Sequence, residues 1–69
     1  MSKVKIILNG EERTIDQGTT LSQIVDELEL DLEKIAIEKD LEVINQNNYA
    51  NTVLNEGCNV EIVHFIGGG

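Results

Sequence analysis

The first fifteen residues hold a run of alternating apolar and polar side chains, a tight turn and a mostly polar run that ends at Ile15. The apolar positions of the first run have a period of two and share one face of a β-strand: Val4, Ile6 and Leu8. Asn9-Gly10 follows, the preferred pair of a two-residue type I′ turn, because both turn positions need a positive φ. Residues 11–15 then return as an antiparallel strand. This hairpin sets three facing pairs: Leu8 with Glu11, Ile6 with Arg13 and Val4 with Ile15.

The next segment has the period of an α-helix. Its apolar side chains fall at i, i+3, i+4 and i+7 and form one stripe: Leu21, Ile24, Val25 and Leu28. Thr20 precedes this stripe, and Gln23 follows three residues later, so the two residues fit a capping box that satisfies two backbone N–H groups. The pattern predicts a helix that runs to about Leu30, with residues 31–34 as the link to the next element.

Three further apolar runs predict the remaining strands. Residues 35–38 form a short strand, Lys39-Asp40 a turn, residues 41–44 a second short strand, and residues 59–65 the last strand, which is rich in β-branched and aromatic side chains. The polar stretch before the last strand is predicted to be a loop with one helical turn, closed by a turn at 55–57 and held by three inward anchors: Tyr49, Val53 and Leu54. One helix covers one face of one sheet, so the chain is predicted to be a two-layer α+β domain.

Length and charge limit what the chain can do. A domain of 69 residues buries only about 60% of the surface that its unfolded chain exposes, which leaves no room for a cofactor cavity with its own catalytic groups. Five Lys and Arg residues against thirteen Asp and Glu residues give a net charge of −8. This charge disfavours nucleic acid and anionic membranes and suits a partner with a basic surface. The longest early apolar run, residues 6–8, is too short for a signal peptide or a membrane span, so the expected location is the cytoplasm.

The single cysteine and the single histidine offer little chemistry. Cys58 can form neither an internal disulfide nor a two-cysteine metal site. A lone cysteine is more often a small apolar residue than a nucleophile, and no basic residue or helix N-terminus is evident that would lower its pKa. His64 allows neither a catalytic dyad nor a multi-histidine metal site and is expected at a strand edge or on the surface. The sequence therefore predicts no catalytic and no metal-binding residues in this chain.

The most informative feature is the glycine run that follows the last strand. Ile66 leads directly into Gly67, Gly68 and Gly69, a bare stretch of peptide with no side chains. Three residues reach roughly 10 Å when fully extended, so this tail could thread a narrow channel and deliver a carboxylate to a partner's active site. The plainer interpretation is a frayed terminus or a cloning remnant. The well-patterned strand before the glycines favours the functional interpretation.

The end of the chain also carries its most specific motif. Residues 56–69 read Glu-Gly-Cys-Asn-Val-Glu-Ile-Val-His-Phe-Ile-Gly-Gly-Gly, and earlier matching pieces are residues 8–11, 19–21 and 35–38 with Tyr49, Thr52 and Leu54. Across nearly the whole chain, these pieces resemble the sulfur carrier proteins of thiamine (thiazole) biosynthesis, a ubiquitin-like β-grasp family. Two positions depart from the family pattern. Lys39-Asp40 stands where an Asn-Gly turn is frequent, and Cys58 stands where a small acidic residue is common, but neither lies in the tail.

The resemblance implies both a fold and a mechanism. The fold would be a ubiquitin-like β-grasp, with a mixed sheet of four to five strands packed on one main helix, residues 1–66 as the domain and residues 67–69 as a flexible tail. An adenylyltransferase of the ubiquitin-activating type would use ATP, with Mg²⁺, to adenylate the carboxylate of Gly69. A persulfide sulfur, supplied through a cysteine desulfurase or another donor, would then leave a thiocarboxylate for thiazole synthase. Gly67 and Gly68 would thread the partners' active sites, and the chain would bind no cofactor and act as a carrier, not an enzyme.

Two further points concern partners. On the last strand Val63 and Phe65 should lie on the face opposite the helix, either as a small satellite core under a loop or, with Ile66, as an exposed patch that docks the partner enzymes.

Two other functions share the tail chemistry. One is a small subunit of the molybdopterin-synthase type, and the other is a ubiquitin-like modifier joined to lysines of target proteins.

Overall fold

The computed structural model describes residues 2–65, which form a five-stranded mixed sheet covered on one face by an α-helix. The strands are β1 (Lys3–Leu8), β2 (Glu11–Asp16), β3 (Ile35–Lys39), β4 (Glu42–Ile44) and β5 (Asn59–His64), and the helix is α1 (Leu21–Glu27). Across the sheet the strands lie in the order β2-β1-β5-β3-β4. The predicted α+β class is confirmed, and the sheet has the larger of the two expected strand numbers. The predicted boundary between residues 66 and 67 lies outside the described residues.

The first hairpin has the register that its turn predicts. β1 and β2 are antiparallel, and the three predicted pairs are present: Leu8 with Glu11, Ile6 with Arg13 and Val4 with Ile15. Asn9 and Gly10 have φ values of 50° and 82°, as a type I′ turn requires. Because the register is correct, Ile6 and Ile15 both point into the core.

The last strand of the sequence lies in the middle of the sheet. β5 runs parallel to β1 over two facing pairs, Ile7 with Asn59 and Leu8 with Val60. On its other side β5 is antiparallel to β3 over five pairs, from Ile35 with His64 to Lys39 with Val60. The two ends of the domain are therefore held side by side, and β5 leads from the centre of the sheet toward the glycine tail.

The helix begins where the sequence predicts and ends earlier. Thr20 is the N-cap, and both hydrogen bonds of its capping box with Gln23 are present. The prediction that the helix reaches Leu30 is wrong, since α1 ends at Glu27. Glu29 has a φ of 56°, and the N–H groups of Glu29 and Leu30 donate to the carbonyls of Asp26 and Val25, which makes a Schellman motif. Leu28, the last member of the predicted stripe, lies at the end of the helix and is 36% exposed.

The β3–β4 hairpin turns one residue later than predicted. Lys39 does not lie in the turn but pairs with Glu42, and the turn residues are Asp40 and Leu41, with φ values of 52° and 72°. Asp40 fixes this turn on β5: its N–H donates to the carbonyl of Asn59 at 2.7 Å, and its carboxylate accepts the N–H of Asn59 at 2.9 Å. β4 is therefore shorter than the predicted strand, and Leu41 is 85% exposed.

The core lies between the sheet and α1. Its most deeply buried side chains come from the sheet, from α1 and from the loop before β5: Ile6, Leu21, Ile24, Ile37, Leu54 and Val60. In the long loop, a 3-10 helix (Gln46–Asn51) places Tyr49 in this core. Tyr49 and Leu54 are the inward anchors that the sequence predicts, whereas the prediction for Val53 is wrong because its side chain is 42% exposed.

Candidate partner-docking site

The sheet has a covered face and an open face, and the alternation of β5 assigns its residues to them. Val60 is buried beneath α1, and Ile62 packs against the core. Val63 and Phe65 therefore lie on the open face, where their side chains are 52% and 50% exposed. The alternative of a satellite core under a loop is wrong for these two residues. Ile66, the third predicted docking residue, lies outside the described residues.

The register of the sheet adds two more apolar side chains to this face. Ala36 of β3 faces Val63 of β5, and Val43 of β4 faces Glu38, whose side chain is on the same side of the sheet. Val43 is 70% exposed. We call Ala36, Val43, Val63 and Phe65 the open-face patch. Val43 is not among the predicted docking residues, and its neighbours Glu42 and Ile44 give no sequence signal that it is exposed.

Two carboxylates interrupt the open-face patch. Glu38 of β3 and Glu61 of β5 face each other directly, next to the row formed by Ala36 and Val63. Like charges in facing positions destabilise a sheet, and no ion pair within residues 2–65 involves either carboxylate. This arrangement places negative charge next to apolar surface.

β5 and the residue that follows it, Phe65, are held in place by two further hydrogen bonds. The N–H of Ile62 donates to the side-chain carbonyl of Asn9 at 2.7 Å, and the N–H of Phe65 donates to the carbonyl of Lys34 at 2.7 Å. Lys34 ends the 3-10 helix Leu32–Lys34, so the segment that links α1 to β3 also holds the last described residue. Gly69, the predicted sulfur-carrying residue, and Gly67 and Gly68, the predicted threading residues, lie outside the described residues. Their predicted roles stay predictions.

The two residues with a possible chemical role of their own lie where the sequence places them. Cys58 is buried, and desolvation raises the pKa of its thiol, against a smaller lowering by Lys39. A thiol with a raised pKa is mostly protonated near neutral pH and is a poor nucleophile. His64 is exposed at the end of β5. In residues 2–65 no group of three His, Cys, Asp or Glu side chains is placed to hold a metal ion.

Comparison with known families identifies the chain. The model of the ThiS family matches residues 6–69, which is almost the whole sequence and includes the three glycines. The chain belongs to the ThiS family. This family consists of small sulfur carrier proteins of thiamine biosynthesis, and they are not enzymes. The predicted family, the β-grasp fold and the predicted role as a carrier are thereby confirmed.

Solved structures agree with this assignment. The crystal structure of the thiamine biosynthesis protein ThiS from Geobacter metallireducens is 25% identical, with a TM-score of 0.81, over 96% of this chain and 100% of the other. An NMR solution structure of a thiamine biosynthesis protein from the same organism gives a TM-score of 0.77 at 25% identity, over 96% of this chain and 88% of the other.

Two curated relatives are much longer proteins. Both are named thiazole synthase, one from Paramagnetospirillum magneticum (strain ATCC 700264 / AMB-1) at 41% identity and one from Magnetococcus marinus (strain ATCC BAA-1437 / JCM 17883 / MC-1) at 42% identity. Each match covers 96% of this chain, and the chain spans about 20% of the length of each relative. None of the helices within residues 2–65 has the length and apolar character needed to cross a membrane.

Proposed function

We propose that the carboxylate of Gly69 carries the sulfur as a thiocarboxylate and gives it to thiazole synthase. The observation that carries this proposal is the family match, which continues past the folded domain through Gly67, Gly68 and Gly69. Because glycines have no side chains, the carboxylate oxygen of Gly69 can reach the α-phosphate of ATP, and the acyl carbon of the adenylate is then accessible to the attacking sulfur.

The chemistry is divided between this chain and its partners. An adenylyltransferase of the ubiquitin-activating type joins the Gly69 carboxylate to the α-phosphate of ATP and releases pyrophosphate, and both ATP and Mg²⁺ are bound by that enzyme. The terminal sulfur of a persulfide, formed by a cysteine desulfurase or another donor, attacks the acyl carbon, and AMP leaves. A thiol reductant then cleaves the S–S bond and leaves the thiocarboxylate. Cys58 takes no part, because it is buried and its pKa is raised.

The relatives support thiazole synthase as the acceptor. In each of two proteins named thiazole synthase, one segment of about a fifth of the length is more than 40% identical to this chain. Sequences of the carrier type and of the synthase type thus occur in one polypeptide, which suits a carrier that delivers to the synthase.

The open-face patch supports a docking role. Val63 and Phe65 are exposed and lie close in sequence to the glycine run, and Glu38 and Glu61 lie beside them. We propose that the partner enzymes present an apolar surface to Val43, Val63 and Phe65 and a basic side chain to the two carboxylates. That cation would offset the repulsion between the two carboxylates, so they repel each other less in the complex than in the free domain.

Intact-protein mass spectrometry tests the carrier function. The chain is incubated with ATP, the adenylyltransferase, a persulfide donor and a thiol reductant. The expected result is a mass gain equal to sulfur replacing oxygen, located in the fragment that contains Gly69. A protein without Gly68 and Gly69 is the matched control and should keep its mass. An unchanged mass of the full chain with an active partner contradicts the proposal, and covalent conjugates to lysines of other proteins would indicate a modifier instead.

A further inference from the structure

The central strand of the sheet has an open edge along its last three residues. β5 pairs with β1 only at Asn59 and Val60, because the partner strand ends at Leu8 and the chain turns away at Asn9-Gly10. β5 continues to His64, so its second half extends beyond the end of β1. On the β3 side the same residues are fully paired.

The hydrogen-bond pattern identifies which groups point to this open edge. The N–H of Phe65 donates to Lys34 and that of Asp40 donates to Asn59, so Glu61 and Val63 bond to β3, and Ile62 and His64 point the other way. The N–H of Ile62 is satisfied by the Asn9 side chain. The carbonyl of Ile62 and both the N–H and the carbonyl of His64 have no protein partner within residues 2–65.

Within residues 2–65 no strand continues the pairing along this edge. His64 and its neighbours Val63 and Phe65 are exposed. At Gly10, where the β1 side would have continued the pairing, a side-chain carbon would meet no atom within 4 Å. The two outer edges of the sheet differ from it: β4 has only three residues, and β2 carries mostly charged side chains, and both features discourage strand pairing.

We propose that an extended strand of the adenylyltransferase pairs with this open edge through backbone hydrogen bonds to Ile62 and His64. The proposal rests on the carrier function proposed above and names how the enzyme holds the tail. In a strand every second residue faces the same neighbour, so Ile62 and His64 both offer backbone groups to one partner strand. Glycines have no side chains for an enzyme to contact, but the backbone of Gly67, Gly68 and Gly69 can still form hydrogen bonds with a partner strand.

This pairing would fix the distance between the domain and the reacting carboxylate. Only four residues separate Phe65 from the end of Gly69. The open-face patch and the open edge meet at Val63 and Phe65, so one partner surface can contact both. The patch would supply affinity, and the edge would hold the tail extended toward ATP.

Two substitutions at His64 test the role of its N–H. His64→Ala and His64→Pro both lack the imidazole, but only the proline lacks the N–H and places a ring carbon in the open edge. We expect kcat/KM for adenylation of H64P to be at least about tenfold below that of H64A. Thr14→Pro is the matched control, because Thr14 lies on β2 and its N–H points away from β1 at an outer edge. It should be adenylated at the rate of the unmodified chain.

A semisynthetic protein covers the case in which H64P does not fold. Gly57 precedes Cys58, so residues 58–69 can be synthesised with N-methyl-His64 and joined to residues 1–57 by native chemical ligation. The methyl group is on the backbone nitrogen of His64, so this change removes the backbone N–H and keeps the imidazole. Loading at the rate of the unmodified semisynthetic protein would overturn the proposal, as would equal rates for H64P and H64A.

Hydrogen exchange gives a readout that does not depend on turnover. The His64 amide should exchange fast in the free chain and slowly in the complex with the adenylyltransferase, while the Val63 amide, which bonds to Ala36, is protected in both. If H64P instead changes the oligomeric state of the isolated chain, or slows only the transfer to thiazole synthase, a different strand occupies the edge and the proposal is wrong. If the unmodified chain is not adenylated at all, the carrier function itself fails.

Discussion

The facing carboxylates of Glu38 and Glu61 should make the free domain less stable than its uncharged variants. The test is a double-mutant cycle of Glu38→Gln, Glu61→Gln and the double variant, because glutamine keeps the shape of the side chain and removes the charge. Glu12→Gln is the matched control, since Glu12 lies on a strand, is exposed and faces the uncharged Ile7. This substitution reduces the net negative charge by the same amount, but it removes no repulsion between facing carboxylates.

The size of the effect follows from the geometry of the pair. Facing side chains have Cβ atoms roughly 5 Å apart, so the two carboxylates lie about 6 Å apart. In water two charges at this distance repel by about 0.7 kcal/mol. A Debye length of about 30 Å at 0.01 M salt leaves ~0.6 kcal/mol of this repulsion, about 8 Å at 0.15 M leaves ~0.3 kcal/mol, and about 3 Å at 1 M leaves ~0.1 kcal/mol.

Urea unfolding at these three salt concentrations measures the effect. At 0.01 M salt each single variant should gain ~0.6 kcal/mol of unfolding free energy, which corresponds to a rise in Tm of about 2–5 °C for a domain of this size. Because either single substitution already removes the repulsion, the double variant should gain no more unfolding free energy from it than a single variant does. The gain should become smaller as the salt concentration rises. If the coupling between the two sites is zero or favourable at low salt, the carboxylates do not repel and our interpretation of the pair is wrong.

The same variants should bind the partner more weakly. If a basic side chain of the adenylyltransferase lies between the carboxylates, removal of either charge should raise Kd by about tenfold at 0.15 M salt. Isothermal titration calorimetry on the four proteins of the cycle measures this change. Unchanged affinity of both single variants would contradict a cation at this position.

The remaining predictions concern the turn, the thiol, acid stability and the tail. Leu41→Gly should raise the free energy of unfolding by about 1 kcal/mol in urea, because a left-handed residue other than glycine is strained and this side chain is largely exposed. Cys58→Ser should lower the Tm, since it buries a hydroxyl, yet keep sulfur loading by mass spectrometry. The hydrogen bond from the Asn59 N–H lowers the pKa of the Asp40 carboxyl. The ionised carboxylate therefore stabilises the fold above the usual carboxyl pKa, and this stabilisation is lost as pH falls through the lowered pKa. The Tm of Asp40→Ala should fall less in acid than the Tm of the unmodified chain. Deletion of Gly68 and Gly69 should abolish loading and leave the Tm almost unchanged; a much lower Tm would mean that these glycines are structural.

Local signals in the sequence predicted most of the fold. Asn9-Gly10 has only one good hairpin geometry, so its register follows from turn chemistry. Thr20 and Gln23 similarly define the start of α1 through a capping box. The order of the strands cannot be obtained in this way. Nothing local to β5 states that it lies between β1 and β3.

The helix end and the second hairpin turn were misplaced because ordinary residues there adopt conformations that glycine usually marks. Glu29 ends α1 and Leu41 turns the second hairpin, both with positive φ, so the sequence offered no glycine to signal either position. The candidate site shows the same limit. The alternation of β5 placed Val63 and Phe65 on the open face, but Val43 joins them through the register of β4, which depends on the misplaced turn.

The central position of β5 also determines when the protein becomes usable during its synthesis. Ribosomes make β1 and β3 first, yet the two strands have no contact as neighbours in the sheet until β5 is inserted between them. The sheet therefore closes last, after nearly all of the domain has been made. A chain that stops before β5 lacks both the folded domain and the segment that leads to the tail. An activating enzyme that recognises the completed sheet would thus spend ATP only on finished carriers.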